Sequence, residues 1–170
     1  STGNHGLTSV GRIVDTGTYR FWLRQTVGVT VIDAWMQHPT LRMLRHDMFE
    51  SLWRWTGYVV PDDGIPVSAT VDLMDQSGVD RGLICAWYDA SGPLISNDEV
   101  ASFVKEAPDR LVGVASVDLQ NPVAAVRELR RAVNDLGFRA LRIVPWLWGL
   151  PPNHRLYYPL YAECVELGVP

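Results

Sequence analysis

Three short β-rich runs, DRGLICAW (80–87), RLVGVASVD (110–118) and FRALRIVPW (138–146), are separated by helical patterns with their own start and stop signals. Such alternation leaves few folds open: a strand, a covering helix, and a next strand parallel to the first. SNDE (96–99) is a capping box, in which Ser96 accepts from the backbone three residues on and Glu99 reaches back. It opens a helix expected over about 97–107, stopping near Pro108. Asn121 as N-cap and Pro122 at the first helical position open VAAVRELRRAVNDL, with apolar residues at 123, 126, 129, 133 and 136 and a stop at Gly137. Upstream, 29–35 reads as a strand. Residues 41–55 read as a helix with Leu41, Leu44, Met48, Phe49 and Leu52 on one face, and 67–77 as a second helix ending at Gly78. A last helix over about 155–167 carries Pro159 near its first turn and Gly168 after its end. The fold class is α/β, with parallel βα units and right-handed crossovers.

Residues 1–28 stand outside this alternation. RIVDTGTYRFWL has the β-branched and aromatic content of a hairpin turning at Asp15-Thr16-Gly17, so the segment reads as a β-rich arm ahead of a 29–170 unit. The length of 170 residues suggests one domain, and 47% hydrophobic content suffices for a core. A net charge of −4 with scattered basic residues gives no footprint for nucleic acid or an anionic membrane; Arg130 and Arg131 read as a solvated helix face. No apolar run reaches the roughly 20 residues of a membrane span, and the N-terminus has no signal-peptide pattern. Cys85 lies in a strand run and Cys164 in a helical pattern. Both read as buried free thiols, which places the chain in the cytoplasm.

VIDAWMQHP (31–39), GPLISNDEV, APDRLVGVASVDLQNP, LGFRALRIVPWLWGLPP and YYPLYAECVELGVP together resemble the amidohydrolase-2 family, the (β/α)₈ barrels related to aminocarboxymuconate-semialdehyde decarboxylase. The resemblance covers roughly 29–170 and is most specific in APDRLVGVASVD and PLYAECVELGVP. It implies the N-terminal half of a TIM-type barrel, four βα units of the eight, preceded by the arm. The family opens with an aspartate followed by His-x-His, whose imidazoles bind a divalent metal. Lined up on Asp33, those places hold Trp35 and Gln37. Indole cannot ligate a metal, and a glutamine carbonyl substitutes poorly for imidazole at zinc. The family's later ligands, two histidines and an aspartate, have no counterpart. No metal or other cofactor is expected, zinc entering only if the family site survives in altered form.

Asp33, Gln37 and His38 fall at the end of the first strand, where barrels carry their active sites. They read as a polar cluster, with Asp33 and His38 as candidate catalytic groups, or as ordinary strand-end hydrogen bonding. Trp87, Tyr88 and Asp89 follow the second strand, Asp118 the third, and Trp146 and Trp148 the fourth. The aromatics either line a pocket for a planar substrate or pack as core. Arg142 is the anion-binding candidate, because its fork can grip a carboxylate in two places, or it is solvated at a strand edge. With Gln37, Trp87 and Trp146 it makes up the candidate substrate-binding set. His46 and His154 read as surface residues, and neither has a partner at i+4 for a helix-borne zinc site.

The first functional reading is a truncated amidohydrolase-like half barrel, a folded structural unit without its own catalysis. The alternative is a hydrolase or decarboxylase acting on a small carboxylate. A second alternative is a module that binds a small molecule on its aromatic rim. An open half barrel leaves two sheet edges and an apolar face unpaired, so a homodimer or higher oligomer is expected, with residues 12–24 in β-structure near the interface.

Overall fold

The ladder that organises the chain is parallel. In the computed structural model, which describes residues 29–170, strands β1 (Ile32–Met36), β2 (Arg81–Cys85) and β5 (Leu111–Val114) form a sheet in the order β1-β2-β5. Ile32 pairs with Arg81 and Asp33 with Gly82, and Gly82 to Cys85 pair in unbroken register with Leu111 to Val114. The arm, its expected hairpin and the expected burial of Tyr19, Phe21 and Trp22 lie outside the described residues.

The expected fourth strand is reduced to a single parallel bridge, Ala115 to Leu141. Around it, Arg139 donates to the Gly113 carbonyl, Ala115 to that of Ala140 and Arg142 to that of Ala115, so 139–142 runs beside β5. On its other side Leu141 donates to the Pro170 carbonyl. The run ends early because Pro145 starts a short helix, α6 (Pro145–Trp148), leaving no length for a ladder. A second departure follows β2. The apolar run does not stop at Trp87; it turns into an antiparallel hairpin, β3 (Trp87–Asp89) and β4 (Gly92–Ile95).

The single helix expected over 41–55 is broken into α1 (Leu41–Leu44), a 3-10 turn at Asp47–Phe49 and α2 (Glu50–Thr56). The break is local side-chain chemistry. Thr40 caps α1 by accepting from the Met43 amide, and His46 caps the turn by accepting from Met48, which competes with helix continuation. The apolar stripe is lost with the helix, and Leu52 is exposed. Helix α3 (Val67–Ser77) ends at Gly78 in the left-handed region, as its sequence dictates. The last helix is α7 (Tyr158–Leu167), entered through a 3-10 turn at Arg155–Tyr157.

Two helices carry the sheet's support. Helix α4 (Asn97–Glu106) opens with the full capping box of Ser96 and Glu99, and Arg42 of α1 pairs with the same Glu99. Helix α5 (Pro122–Asn134) is capped by Asn121. Its most buried line is Ala125, Leu129 and Ala132, with Val123 exposed. The stripe is thus rotated from the expected one, because alanines let the helix sit closest to the sheet. Arg130 of α5 grips Glu163 of α7 through two bonds of 2.6 and 2.8 Å. Arg110, from the APDRLVG run, staples the joint between α3 and β2: it donates to the carbonyls of Val79 and Asp80 and pairs with Asp75. Gly113 is glycine because a Cβ there would lie 2.3 Å from the buried ring of Phe138.

Asn97 is fully buried and ties α4 to the end of β5. Its amide donates to the Ser116 carbonyl (2.9 Å) and to Glu128 (2.7 Å), while its oxygen accepts from the Ser116 amide (3.1 Å). Replacing it with leucine strands a buried backbone donor and acceptor, each costing about 1–3 kcal/mol. Asn97→Leu should therefore lower stability by about 3 kcal/mol in urea melts, whereas a loss below about 1 kcal/mol would show that the tie is replaceable.

Candidate functional site

The parallel register brings the C-terminal ends of the strands onto one rim, and three side chains from three of them meet there. Trp35 comes from β1, Trp87 from the start of β3 and Arg142 from the bridge beside Ala115. The Arg142 guanidinium carbon lies 4.0 Å from the centre of the Trp35 ring and 5.1 Å from that of Trp87. Both are cation–π distances. Trp146, on α6 and 61% exposed, stands edge-on to Trp87 with centroids 6.3 Å apart.

The electrostatics of this rim are unusual. Nε, Nη1 and Nη2 of Arg142 are buried with no hydrogen bond of ordinary length, the Cys85 thiol being the one polar group that draws on them, and the indole nitrogens of Trp87 and Trp148 are buried without a partner. Burial pulls the Arg142 pKa below its ordinary value, with Cys85 opposing. Burial likewise pushes the Cys85 thiol up to about 11, with Arg142 pulling the other way and the charge of Asp33 pushing it further up. Cys85 is therefore a neutral thiol near pH 7 and does not neutralise the arginine. No ion pair to Arg142 occurs among the described residues. An unpaired buried cation and a set of orphaned N–H donors make an environment that accepts an anion.

The remaining candidates are placed as follows. Asp33 accepts from the Trp35 amide at 2.8 Å, a local turn at the strand end. Gln37 has its Oε1 buried without a partner. His38 is not presented to the rim. It is 2% exposed, Nδ1 sits 2.8 Å from the Thr70 hydroxyl and Nε2 2.9 Å from the Ile65 carbonyl, and its ring meets Phe103 edge-on. The geometry fits a neutral imidazole donating from Nε2 and accepting at Nδ1. Asp118 accepts from the Gln120 amide, and Asp89 is consumed by Ser91 and His46. His46 departs from its surface assignment: Nε2 lies 2.9 Å from Asp89 and pins the break after α1 to the hairpin. His154 caps the last 3-10 turn. Cys85 and Cys164 are buried free thiols, as read. Sequence reasoning set Trp35 aside as a lost ligand and missed it as a stacking partner. The available signal was its place at the end of the first strand; alternation was no guide, because the pairing of β1 with β2 slips between Asp33 and Met36.

The donor set does not suit the family's metal. Indole carries no lone pair for a metal, and among the described residues no group of three or more His, Cys, Asp or Glu side chains could hold one. No helix among them is long and apolar enough to cross a membrane.

Burial holds the His38 pKa below the ordinary histidine range, against the opposing effects of the Ile65 carbonyl and Glu106. With the folded value below the unfolded value of about 6.5, the unfolded chain takes up the proton first. The stability that His38 contributes is complete above that pH and is lost as pH falls below it. The advantage of the wild type over His38→Gln in urea melts should shrink between pH 7.5 and pH 5.5; a constant advantage would show that His38 stays uncharged in both states.

The Amidohydrolase family profile matches residues 56–170. Over 72 residues, 42% of this chain and 20% of the relative, the sequence is 32% identical to 2-amino-3-carboxymuconate-6-semialdehyde decarboxylase of Dictyostelium discoideum. Over 85 residues, 44% of this chain and 25% of the relative, it is 35% identical to gamma-resorcylate decarboxylase of Rhizobium radiobacter. Among solved structures it is similar to 5-carboxyvanillate decarboxylase of Novosphingobium aromaticivorans, complexed with manganese and 4-hydroxy-3-methoxy-5-nitrobenzoic acid. That likeness has a TM-score of 0.63 at 22% identity and covers 84% of this chain and 49% of the other. The chain thus spans about half the length of that barrel, and the aligned segments a fifth to a quarter of the curated relatives. The profile begins after β1, so the alignment of Asp33, Trp35 and Gln37 with the family's opening residues rests on the place of β1, parallel to β2 as the first strand of the sheet. With a profile match over more than half its residues and the parallel half-barrel sheet of these neighbours, the chain belongs to the amidohydrolase family.

Proposed function

We propose that this chain supplies the carboxylate-recognition rim of a decarboxylase-type amidohydrolase, and that its ligand is a small planar carboxylic acid of the class its related decarboxylases act on. The observation that carries the reading is Arg142: three buried nitrogens with no hydrogen bond of ordinary length, flanked by Trp35 and Trp87. A carboxylate satisfies a guanidinium fork through two parallel bonds. The indole faces suit the flat ring of the acid, and Trp146 extends the aromatic wall from Trp87.

In a decarboxylation the bond between ring and carboxylate breaks, carbon dioxide leaves, and the ring carbon takes a proton. Arg142 fixes the departing group beside the indole faces of Trp35 and Trp87. Asp33, whose charge reaches Cys85, is the acid–base group of this reading; His38 is spent on Thr70 and Ile65. The family metal does not fit these residues. Titration of tryptophan fluorescence with 2,6-dihydroxybenzoate should saturate, and resorcinol, the same ring without its carboxylate, should bind at least about tenfold more weakly. Equal affinity for the two would overturn the carboxylate reading.

A second reading, a folded half barrel without catalysis, is supported by the resemblance drawn on Asp33, in which Trp35 and Gln37 take the places of the family's opening ligands. Release of carbon dioxide from 2,6-dihydroxybenzoate, lost in Asp33→Asn, decides for the enzyme; binding without release decides for the half barrel. Self-association belongs to either reading. Among the described residues β1 is an edge of the sheet, and Ile32 within it and Val31 just before it are exposed. Light scattering should give at least twice the chain mass of 19.0 kDa, falling toward that mass in Ile32→Lys. A 19.0 kDa wild-type particle would refute association.

A further inference from the structure

Resting on the carboxylate reading of the rim, the structure assigns to the Arg142 guanidinium the fixed positive charge that manganese gives a related solved decarboxylase, so that this chain holds its carboxylate without a metal. Three observations converge. In the resemblance drawn on Asp33, Trp35 takes the first imidazole place, and the same indole lies 4.0 Å from the Arg142 guanidinium. One residue therefore removes a ligand and supports an organic cation in its stead, its negative ring face stabilising the charge. Trp87 closes the other side at 5.1 Å. The second observation is the missing counter-charge. No ion pair among the described residues involves Arg142, although its guanidinium nitrogens are buried, whereas Arg42, Arg110, Arg130 and Arg131 each meet a carboxylate. Asp33, the nearby carboxylate, spends Oδ1 on the Trp35 amide. The third is the donor chemistry: the orphaned polar atoms of Arg142, Trp87 and Trp148 are all N–H donors, which serve an anion and repel a dication.

The substitution changes what the site can do with its ligand. A guanidinium orients a carboxylate in its own plane and neutralises it, but it generates no bound hydroxide, which is a metal's second service. Recognition of the acid then depends on the fork and the two indole walls, and is indifferent to chelators.

The test is calorimetry on the 170-residue chain with 2,6-dihydroxybenzoate, once in EDTA and once with manganese chloride. The affinities in the two buffers should agree within about twofold. Arg142→Gln should lose at least about tenfold, and Arg142→Lys, which keeps the charge and loses the fork, should fall between. Trp35→His should weaken binding several-fold in EDTA. Should Arg142→Gln fail to fold by circular dichroism, Arg142→Lys and Trp35→His carry the comparison. Binding that appears only with manganese overturns this inference and leaves the carboxylate reading standing. No saturable binding in either buffer overturns the carboxylate reading itself. Chelator-insensitive binding unchanged in Arg142→Lys, Arg142→Gln and Trp35→His removes the assignment to Arg142.

Discussion

The unbroken parallel register between β2 and β5 is the constraint on which the rest of the molecule depends. Because Cys85 pairs with Val114, and Ala115 next to it bridges Leu141, the chain ends of all the strands fall on one side. Trp87 leaves β2 there, Arg142 follows the bridge there, and the parallel pairing of β1 delivers Trp35 to the same rim. A slip of one residue in any of these pairings would turn the corresponding side chain to the opposite face. The helices hold this register from outside. Asn97 reads both backbone groups of Ser116, the residue after the bridge, and passes the tie through Glu128 to Arg131 and Asp98. The Arg131 bonds hold the Glu128 carboxyl below the usual range, so the chain from α4 to α5 is ionised, and firm, well below neutral pH.

The site built on this frame is a cation held by aromatic rings rather than by carboxylates. Two consequences follow from physics alone. A guanidinium stripped of water and left without acceptors is costly, and a ligand anion repays that cost on binding. The indoles that surround it also set the shape of what fits, since they offer flat faces to a flat acid. Cys85 sits in the same environment and remains protonated, because burial outweighs the neighbouring arginine. It fills space rather than supplying charge.

Helix limits were legible where capping chemistry is local. Ser96 with Glu99, Asn121 with Pro122, and the stops at Gly78 and Gly168 are settled by side chains and glycines within a few residues of one another. The family resemblance was legible for the same reason: APDRLVG spells a helix-to-strand joint whose Arg110 closes it through neighbouring carbonyls. Illegible were the break between α1 and α2 and the hairpin after Cys85. The first is made by the local caps Thr40 and His46 within an otherwise helical pattern, and the second by a tight antiparallel turn that pairs Asp89 with Gly92 inside an apolar run.

For the site, the sequence by itself determined the inventory: an arginine in the fourth run, tryptophans at the strand ends, and tryptophan and glutamine in place of two imidazoles. It determined the parallel βα order too, since alternating apolar strands and capped helices admit little else. Only the tertiary structure decided which of these residues meet. Arg142 could have been a solvated edge residue; it became a buried cation because two indoles from other strands enclose it. His38 could have been a rim acid–base group; it became a neutral core tie because the chain leaving β1 after Met36 carries it to α3 and the turn before it, where Thr70 and the Ile65 carbonyl use both nitrogens. Residue types are fixed locally, whereas desolvation and pairing belong to the whole fold, and in this chain desolvation keeps the Cys85 thiol and the His38 ring neutral.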